Sequence, residues 1–317
     1  MNVDIASDRL TELLIDLTPV PQHPALASLV DALRAKHGAC VAGVLFYGSC
    51  LRNGDPFDGL VDLYLVVDNY RRANSSRLRA LWNWLLPPNV FYAEFPCGDR
   101  TLRCKYALLS RRDLRRGTSK RWFHSYLWGR FSQPTAIAWS RDETLRQEIG
   151  SCLAQAAHTF LERTLPCAAP QGDIETLWGD ALALSYRAEM RPESRGRAAE
   201  LAGHNRDWYL RVTAALAPQL TTAPQLDDNG RYTLHVGTSR RSLCRAAWKL
   251  RTLQGKLLSV ARLLKALFTF EGGLDYAAWK LERHSGQHIE IPERVRRYPL
   301  IFVWGMFWDL YRRGIFR

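Results

Sequence analysis

An α+β fold is the expectation for this chain. The first half alternates short apolar runs with helical stretches, the second half keeps the helical period almost throughout, and breakers such as Pro87-Pro88 and Gly98-Asp99 separate the pieces. The elements follow in order. Residues 24–37 place Leu26, Leu29, Val30 and Leu33 at helical spacing. Ala42–Tyr47 is an apolar run too short for a helix and predicts a buried strand that ends at Gly48-Ser49. Leu60–Val67 predicts a second strand, and residues 77–86 a helix stopped by Pro87-Pro88. Val90–Phe95 and Leu102–Leu109 predict two more strands joined by the turn Pro96-Cys97-Gly98-Asp99. Helix is expected from residue 111 onward, and 165–173, with two Pro and a Gly, is the expected linker.

Composition narrows the partners. Forty-four Lys and Arg against 31 Asp and Glu give a net charge of +13, which favours anionic partners: nucleic acid, nucleotide phosphates or an acidic membrane surface. The seven cysteines are scattered singly without a CxxC pair, so neither a zinc site nor a disulfide framework is expected, and a reducing compartment fits them. The N-terminus carries acids and no secretory signal pattern. No apolar run reaches the roughly 20 residues of a membrane-spanning helix. His284 and His288 are four apart but have Gly286 between them, so no histidine is assigned to metal.

The chemistry is carried by Phe46-Tyr47-Gly48-Ser49 and by Asp62 in the following apolar strand. A Gly-Ser turn at a strand end lets backbone N–H groups and a hydroxyl come close to phosphates. A carboxylate on the neighbouring strand can hold Mg²⁺ against those phosphates. An Asp between Val61 and Leu63 is unusual, because an unpaired buried carboxylate is costly. Asp68 and Glu94 are candidates for a second metal carboxylate. Lys105, in a strand, and Arg130, beside Gly129, are candidate phosphate contacts; the ordinary alternative for each is a solvated surface cation.

Together these features resemble the polymerase-beta-like nucleotidyltransferase signature, except that its second Asp is Tyr64 here. A single Asp in this strand is similar to the mitochondrial-type phosphatidate cytidylyltransferases, the translocator assembly and maintenance proteins. Further elements resemble that family in order over roughly residues 40–195: Asn89-Val90-Phe91-Tyr92, Lys105-Tyr106 with Ser110 and Asp113-Leu114, Gly129-Arg130-Phe131 with Gln133-Pro134, and Leu184-Ser185-Tyr186 with Glu189 and Arg191. The resemblance implies CTP and phosphatidate as substrates, CDP-diacylglycerol and pyrophosphate as products, and Mg²⁺ or another divalent cation as cofactor. It implies Asp62 and Lys105 as catalytic residues, with Asp62 and Asp68 as metal ligands. Tyr47, Gly48, Ser49 and Arg130 would hold the nucleotide, and Ser185, Tyr186 and Arg191 would be candidate substrate-binding residues.

Residues 240–265 hold eight Lys and Arg and no acid, with leucines interleaved at helical spacing. This basic amphipathic helix suits anionic lipid, nucleic acid, or a packed helix with a solvated face. Residues 294–317 combine six Arg with Trp304, Trp308 and Tyr311, a pattern suited to the headgroup boundary. The expected organisation is a nucleotidyltransferase-like mixed sheet with helices (1–165), an all-helical domain (174–270) and a basic membrane-associating segment (271–317). Attachment is expected at the cytoplasmic face of an anionic membrane, without nucleic acid. The rival expectations are a nucleotidyltransferase acting on RNA, a small molecule or a protein, and a non-catalytic nucleic-acid-binding protein.

Overall fold

A computed structural model describes residues 8–189, 195–269, 273–285 and 288–297, and residues 305, 308 and 312. Its centre is set by β1 (Val41–Tyr47) and β2 (Val61–Val67), which are apolar almost throughout and therefore need cover on both faces. With β3 (Asn89–Cys97), β4 (Arg100–Ser110) and β5 (Thr135–Ser140) they form a five-stranded sheet in the order β3-β4-β2-β1-β5. β1 runs antiparallel to β2 and to β5, β2 runs parallel to β4, and β3 is antiparallel to β4.

Strand alternation divides the sheet side chains between two cores. One face carries Val44, Phe46, Leu63, Leu65 and Leu108, which pack against α2 (Pro24–His37) through Leu26, Leu29 and Leu33. The other carries Leu45, Tyr64, Val66 and Leu109 and joins a larger core. That core includes α1 (Asp8–Asp16), the long α8 (Glu143–Thr164), α9 (Ile174–Ala188) and α11 (Arg206–Leu216). Short helices fill the connections: α3 (Ser49–Asn53), α4 (Tyr70–Ala73), α5 (Arg77–Leu85), α6 (Arg111–Thr118) and α7 (Trp128–Phe131). α10 (Arg195–His204) packs on α9, and α12 (Thr238–Thr269), α13 (Gly273–Ser285) and α14 (Glu293–Arg297) complete the described chain. The fold is α+β, as the sequence predicts.

Four expectations change. β5 was expected as helix or connection; it follows Gln133-Pro134 and closes the β1 edge of the sheet. The second half is not all helix among the described residues: β6 (Gln171–Asp173), β7 (Gln225–Leu226) and β8 (Arg231–Thr233) form a small antiparallel sheet in the order β6-β8-β7. Strands this short hold too few positions for alternation to show. Within 165–173, Leu165 and Pro166 are buried in a 3-10 turn and the last three residues are β6. Cys167 and Cys244 form a disulfide with their Cα atoms 6.0 Å apart, although no spacing in the sequence pairs them.

α12 turns several of its hydrogen-bond donors inward. The Trp248 indole donates to the Arg163 carbonyl at 2.8 Å, Arg251 Nε to the Phe123 carbonyl at 2.9 Å, and Ser259 to the Glu189 carbonyl at 3.2 Å. Arg262 reaches the Pro87 carbonyl, and Lys265 donates to the Leu86 and Pro88 carbonyls, both at 2.6 Å. Burial, with Arg262 close by, brings the Lys265 ammonium down to about 7. On the same side, a Cβ on Gly255 would lie 2.0 Å from the Ala188 carbonyl oxygen, so only glycine lets α12 approach α9 this closely. Among the described residues, no helix is long and apolar enough to cross a membrane.

Candidate active site

The register of the sheet assembles the site. Tyr47 on β1 stands opposite Asp62 on β2, and Asp62 stands opposite Lys105 on β4. The row extends to Thr135 on β5 and Tyr92 on β3, so it crosses all five strands. Side chains set on paired strands have little freedom to drift, which is how a rigid element fixes a reacting constellation. At the end of β1 the chain turns at Gly48, with φ +91°, and Ser49 opens α3. Two constraints keep a side chain off Gly48: the left-handed backbone, and the Asp62 carboxylate oxygen 2.9 Å from where a Cβ would stand. Asp62 is thus packed directly against the Gly-Ser turn.

Lys105 Nζ lies 3.5 Å from Asp62 Oδ1, and both side chains are half-buried. Burial pushes the Lys105 ammonium down, but Asp62, with Tyr47 and Tyr276, more than offsets it and holds the pKa above its usual value. Lys105 is therefore a fixed positive charge here. Burial, followed by the charge of Asp62, pushes the Tyr47 phenol up and keeps it neutral.

Arg130 on α7 is more deeply set. One Nη donates to the Tyr47 hydroxyl at 3.3 Å and the other to buried Glu189 at 3.3 Å. Its guanidinium also lies 5.1 Å from the Tyr126 ring centre. Burial opposes its charge, yet the surrounding Tyr64, Tyr47, Tyr126 and Glu189 hold its pKa well above the ordinary value. Gln133, three residues further, accepts from the Tyr186 hydroxyl at 2.9 Å and ties α9 to this wall.

These groups line one cavity of about 440 Å³. Tyr47, Gly48, Ser49, Asp62, Lys105, Arg130 and Tyr186 all face it. The sequence reading missed further lining residues: Arg52 of α3, Arg197 of α10, and Asn205 and Tyr209 at α11. Burial, followed by the charge of Arg197, pushes the Arg52 pKa down. Arg197 also pairs with Glu200 at 2.6 Å, and an anion bound beside Arg52 would ease the cost of its charge. The signal available in sequence was slight: Arg52 lies three residues after the Gly-Ser turn, on the helix that the turn begins.

No family model and no curated protein matches this chain. The functional reading rests on the geometry of the cavity and on the resemblance in its motifs.

The other expected residues fall elsewhere. Asp68 is at the far end of β2 and does not face the cavity; it accepts from Arg141 at 2.8 Å and from Arg111 at 3.2 Å. It cannot share a metal with Asp62, because a strand rises about 3.3 Å per residue and separates the two by several ion diameters. Glu94 binds the Tyr92 hydroxyl at 2.6 Å and Arg103 at 3.3 Å, outside the cavity. Ser185 is fully buried behind α7, where a Cβ on Gly129 would meet its Oγ at 3.0 Å. It packs α9 against α7 and does not line the cavity. Arg191 and most of the tail 294–317, including Trp304 and Tyr311, lie outside the described residues.

The donor set suits one kind of cation. Mg²⁺ binds through one or two carboxylates and completes its shell with phosphate oxygens and water. Asp62 supplies one carboxylate, with the Ser49 hydroxyl on the same cavity wall. Among the described residues, no group of three or more metal-ligating side chains gathers. The arrangement fits an ion that arrives with its phosphates.

Proposed function

We propose that this cavity transfers a cytidylyl group from CTP to phosphatidate, giving CDP-diacylglycerol and pyrophosphate. The observation that carries the nucleotidyl-transfer part is the row Tyr47–Asp62–Lys105, with the Gly48-Ser49 turn packed on Asp62 and Arg130 behind it. The choice of CTP and of a phosphatidate acceptor comes from the resemblance to the mitochondrial-type phosphatidate cytidylyltransferases.

In this reading the Gly48-Ser49 turn seats the triphosphate, with no side chain in the way. Asp62 would hold Mg²⁺, which supplies charge neutralisation at the phosphates as the leaving pyrophosphate develops. Lys105 and Arg130 offset negative charge on the transferring phosphoryl group from positions fixed before substrate arrives. Arg52 and Arg197 offer a second anion seat, suited to the phosphate of the acceptor. Among the described residues, those lining the cavity include no histidine and only Asp62 as a carboxylate, which leaves no spare general base among them. An acceptor hydroxyl would need one. An ionised phosphate monoester attacks with an oxygen that has no proton to remove, and this favours a phosphate acceptor over the hydroxyl of an RNA or a sugar.

The test is purified protein with CTP labelled at the α-phosphate, Mg²⁺ and phosphatidate. Lipid-extractable label that depends on phosphatidate supports the reading. Label that appears only on an added RNA, protein or water-soluble acceptor replaces it with the wider nucleotidyltransferase reading, and absence of pyrophosphate release with every acceptor removes both.

A further inference from the structure

α12 presents its leucines to water. Leu243, Leu250, Leu257 and Leu264 recur every seventh residue, with Leu253 and Val260 between them, and all six are exposed, Leu243 by 72% and Leu257 by 65%. The cause lies on the inner face, where Trp248, Arg251, Ser259, Arg262 and Lys265 are committed to main-chain carbonyls. A helix with hydrogen-bond donors pointing inward has no place but the surface for its apolar stripe.

A second helix adds to this surface. α5 exposes Leu78, Leu81, Trp82 and Leu85, which share one face at spacings of three and four. Arg262 and Lys265 of α12 bind the carbonyls of Leu86, Pro87 and Pro88 directly after α5, so the ends of the two stripes are neighbours. Among the described residues, every large exposed hydrophobic side chain except Trp308 lies on α5 or α12. Apolar exposure confined to two adjoining helices marks an interaction surface.

Charge selects the occupant. α12 contains no acid from Thr238 to Thr269, and exposed Lys249 and Lys256 flank its stripe; Arg77 and Arg79 lie on α5. A second copy in a heptad pairing would set lysine-flanked stripes against each other with no acid on α12 to answer them. The tail at 294–317 holds six Arg and one Asp, so it is repelled as well. An anionic bilayer answers both features, taking leucine side chains into the acyl boundary and lysines among the headgroups.

We propose that α12 and α5 form the membrane-docking surface of this protein and lie in the interface of an anionic bilayer. This deepens the reading of a lipid acceptor, because the inner face of α12 adjoins the candidate site: Ser259 donates to the Glu189 carbonyl, and Glu189 pairs with Arg130. Arg262 also lies 4.0 Å from the ring centre of Tyr126, and Arg130 lies 5.1 Å from the same ring centre. The docked helix is thus one side-chain layer from the cavity.

The experiment is flotation of the full chain with vesicles of phosphatidylcholine, alone or mixed with phosphatidylserine, in the absence of CTP and phosphatidate. The parent should float with the mixed vesicles and weakly with phosphatidylcholine. The triple variant Leu250→Gln, Leu253→Gln, Leu257→Gln should lose partition by roughly tenfold or more, since each leucine leaves the acyl boundary. It should melt no lower than the parent, because those side chains already stand in water. Lys249→Gln with Lys256→Gln should lose less and flatten the salt dependence. A folded triple variant that floats like the parent overturns the proposal, as does a parent that does not float. A parent dimer in sedimentation velocity that the triple variant converts to monomer, with flotation unchanged, assigns the stripe to a second copy instead. Transfer to phosphatidate dispersed in detergent, measured on the triple variant, should keep the parental rate, which separates loss of docking from loss of chemistry.

Discussion

Asp62 and Asp68 begin and follow the same strand, and their surroundings differ in one decisive respect. Asp68 is engaged: Arg141 and Arg111 both donate to it, and Arg111 is shared in turn with Glu148. Asp62 has Lys105 at 3.5 Å, the Gly-Ser turn against its flank, and a cavity of about 440 Å³ in front. A carboxylate held between two arginines stabilises the fold. One that is held in place with open acceptor capacity is available to a ligand. An aspartate in β2 and one just past its end thus divide chemistry from structure according to what surrounds them.

Substitutions sharpen that contrast. Asp62→Asn should reduce cytidylyl transfer by about a thousandfold, ~4 kcal/mol in barrier, while the melting temperature stays near the parent. Near-parental turnover by the folded variant ends the assignment of Asp62. Gly48→Val should weaken CTP binding by roughly a hundredfold, because a branched side chain takes the space of the phosphates and meets Asp62. Calorimetry with CTP and Mg²⁺ reads this directly; unchanged affinity would make the turn merely a turn. Lys105→Gln should lower kcat by about tenfold with CTP affinity less affected, as expected for a charge that acts mainly as the phosphoryl group transfers. Equal loss in both would make it a binding residue.

Asp68→Asn should leave turnover intact and lower stability by only ~1 kcal/mol, since solvent screens this partly exposed cluster. Its pH dependence has a definite sign. Hydrogen bonds from Arg141, joined by Arg111 against a smaller cost of burial, hold the Asp68 pKa below 3.8 in the folded protein. The stabilisation is therefore complete above the unfolded value and lost as pH falls through the folded one. Denaturant titrations of parent and variant should differ by a constant amount at neutral pH and converge below about pH 4. A gap that widened on acidification would contradict the arrangement.

The contrast also shows where sequence is legible. β1 and β2 declare themselves because continuous apolar runs of that length fit a buried strand, and Gly48-Ser49 and Asp62 stand out against them. The cavity role of Asp62 and the surface role of Asp68 do not, because the arginines that claim Asp68 lie 43 and 73 residues away along the chain. Arg197 and Tyr209 reach the cavity from helices that carry no motif, so only the packed fold assigns them. β5 hides because it is brief and follows a helical-looking stretch. α12 is evident as an amphipathic helix, but its direction is not: pattern alone would bury the leucines, and the carbonyls awaiting Arg251 and Lys265 belong to remote segments.

Those inward donors also govern how α12 can move. An apolar seam is tolerant of slippage, since one methyl group replaces another after a shift of about 5.4 Å, one helical turn. The inner face of α12 has no such freedom. Trp248, Arg251, Ser259 and Lys265 each point at a carbonyl in a different part of the chain, and any sliding or rotation would strand several donors together. Directional bonds give the helix a single register against the body, so a force applied to its outer leucines reaches the backbone at Glu189 and Pro88 without being absorbed along the way.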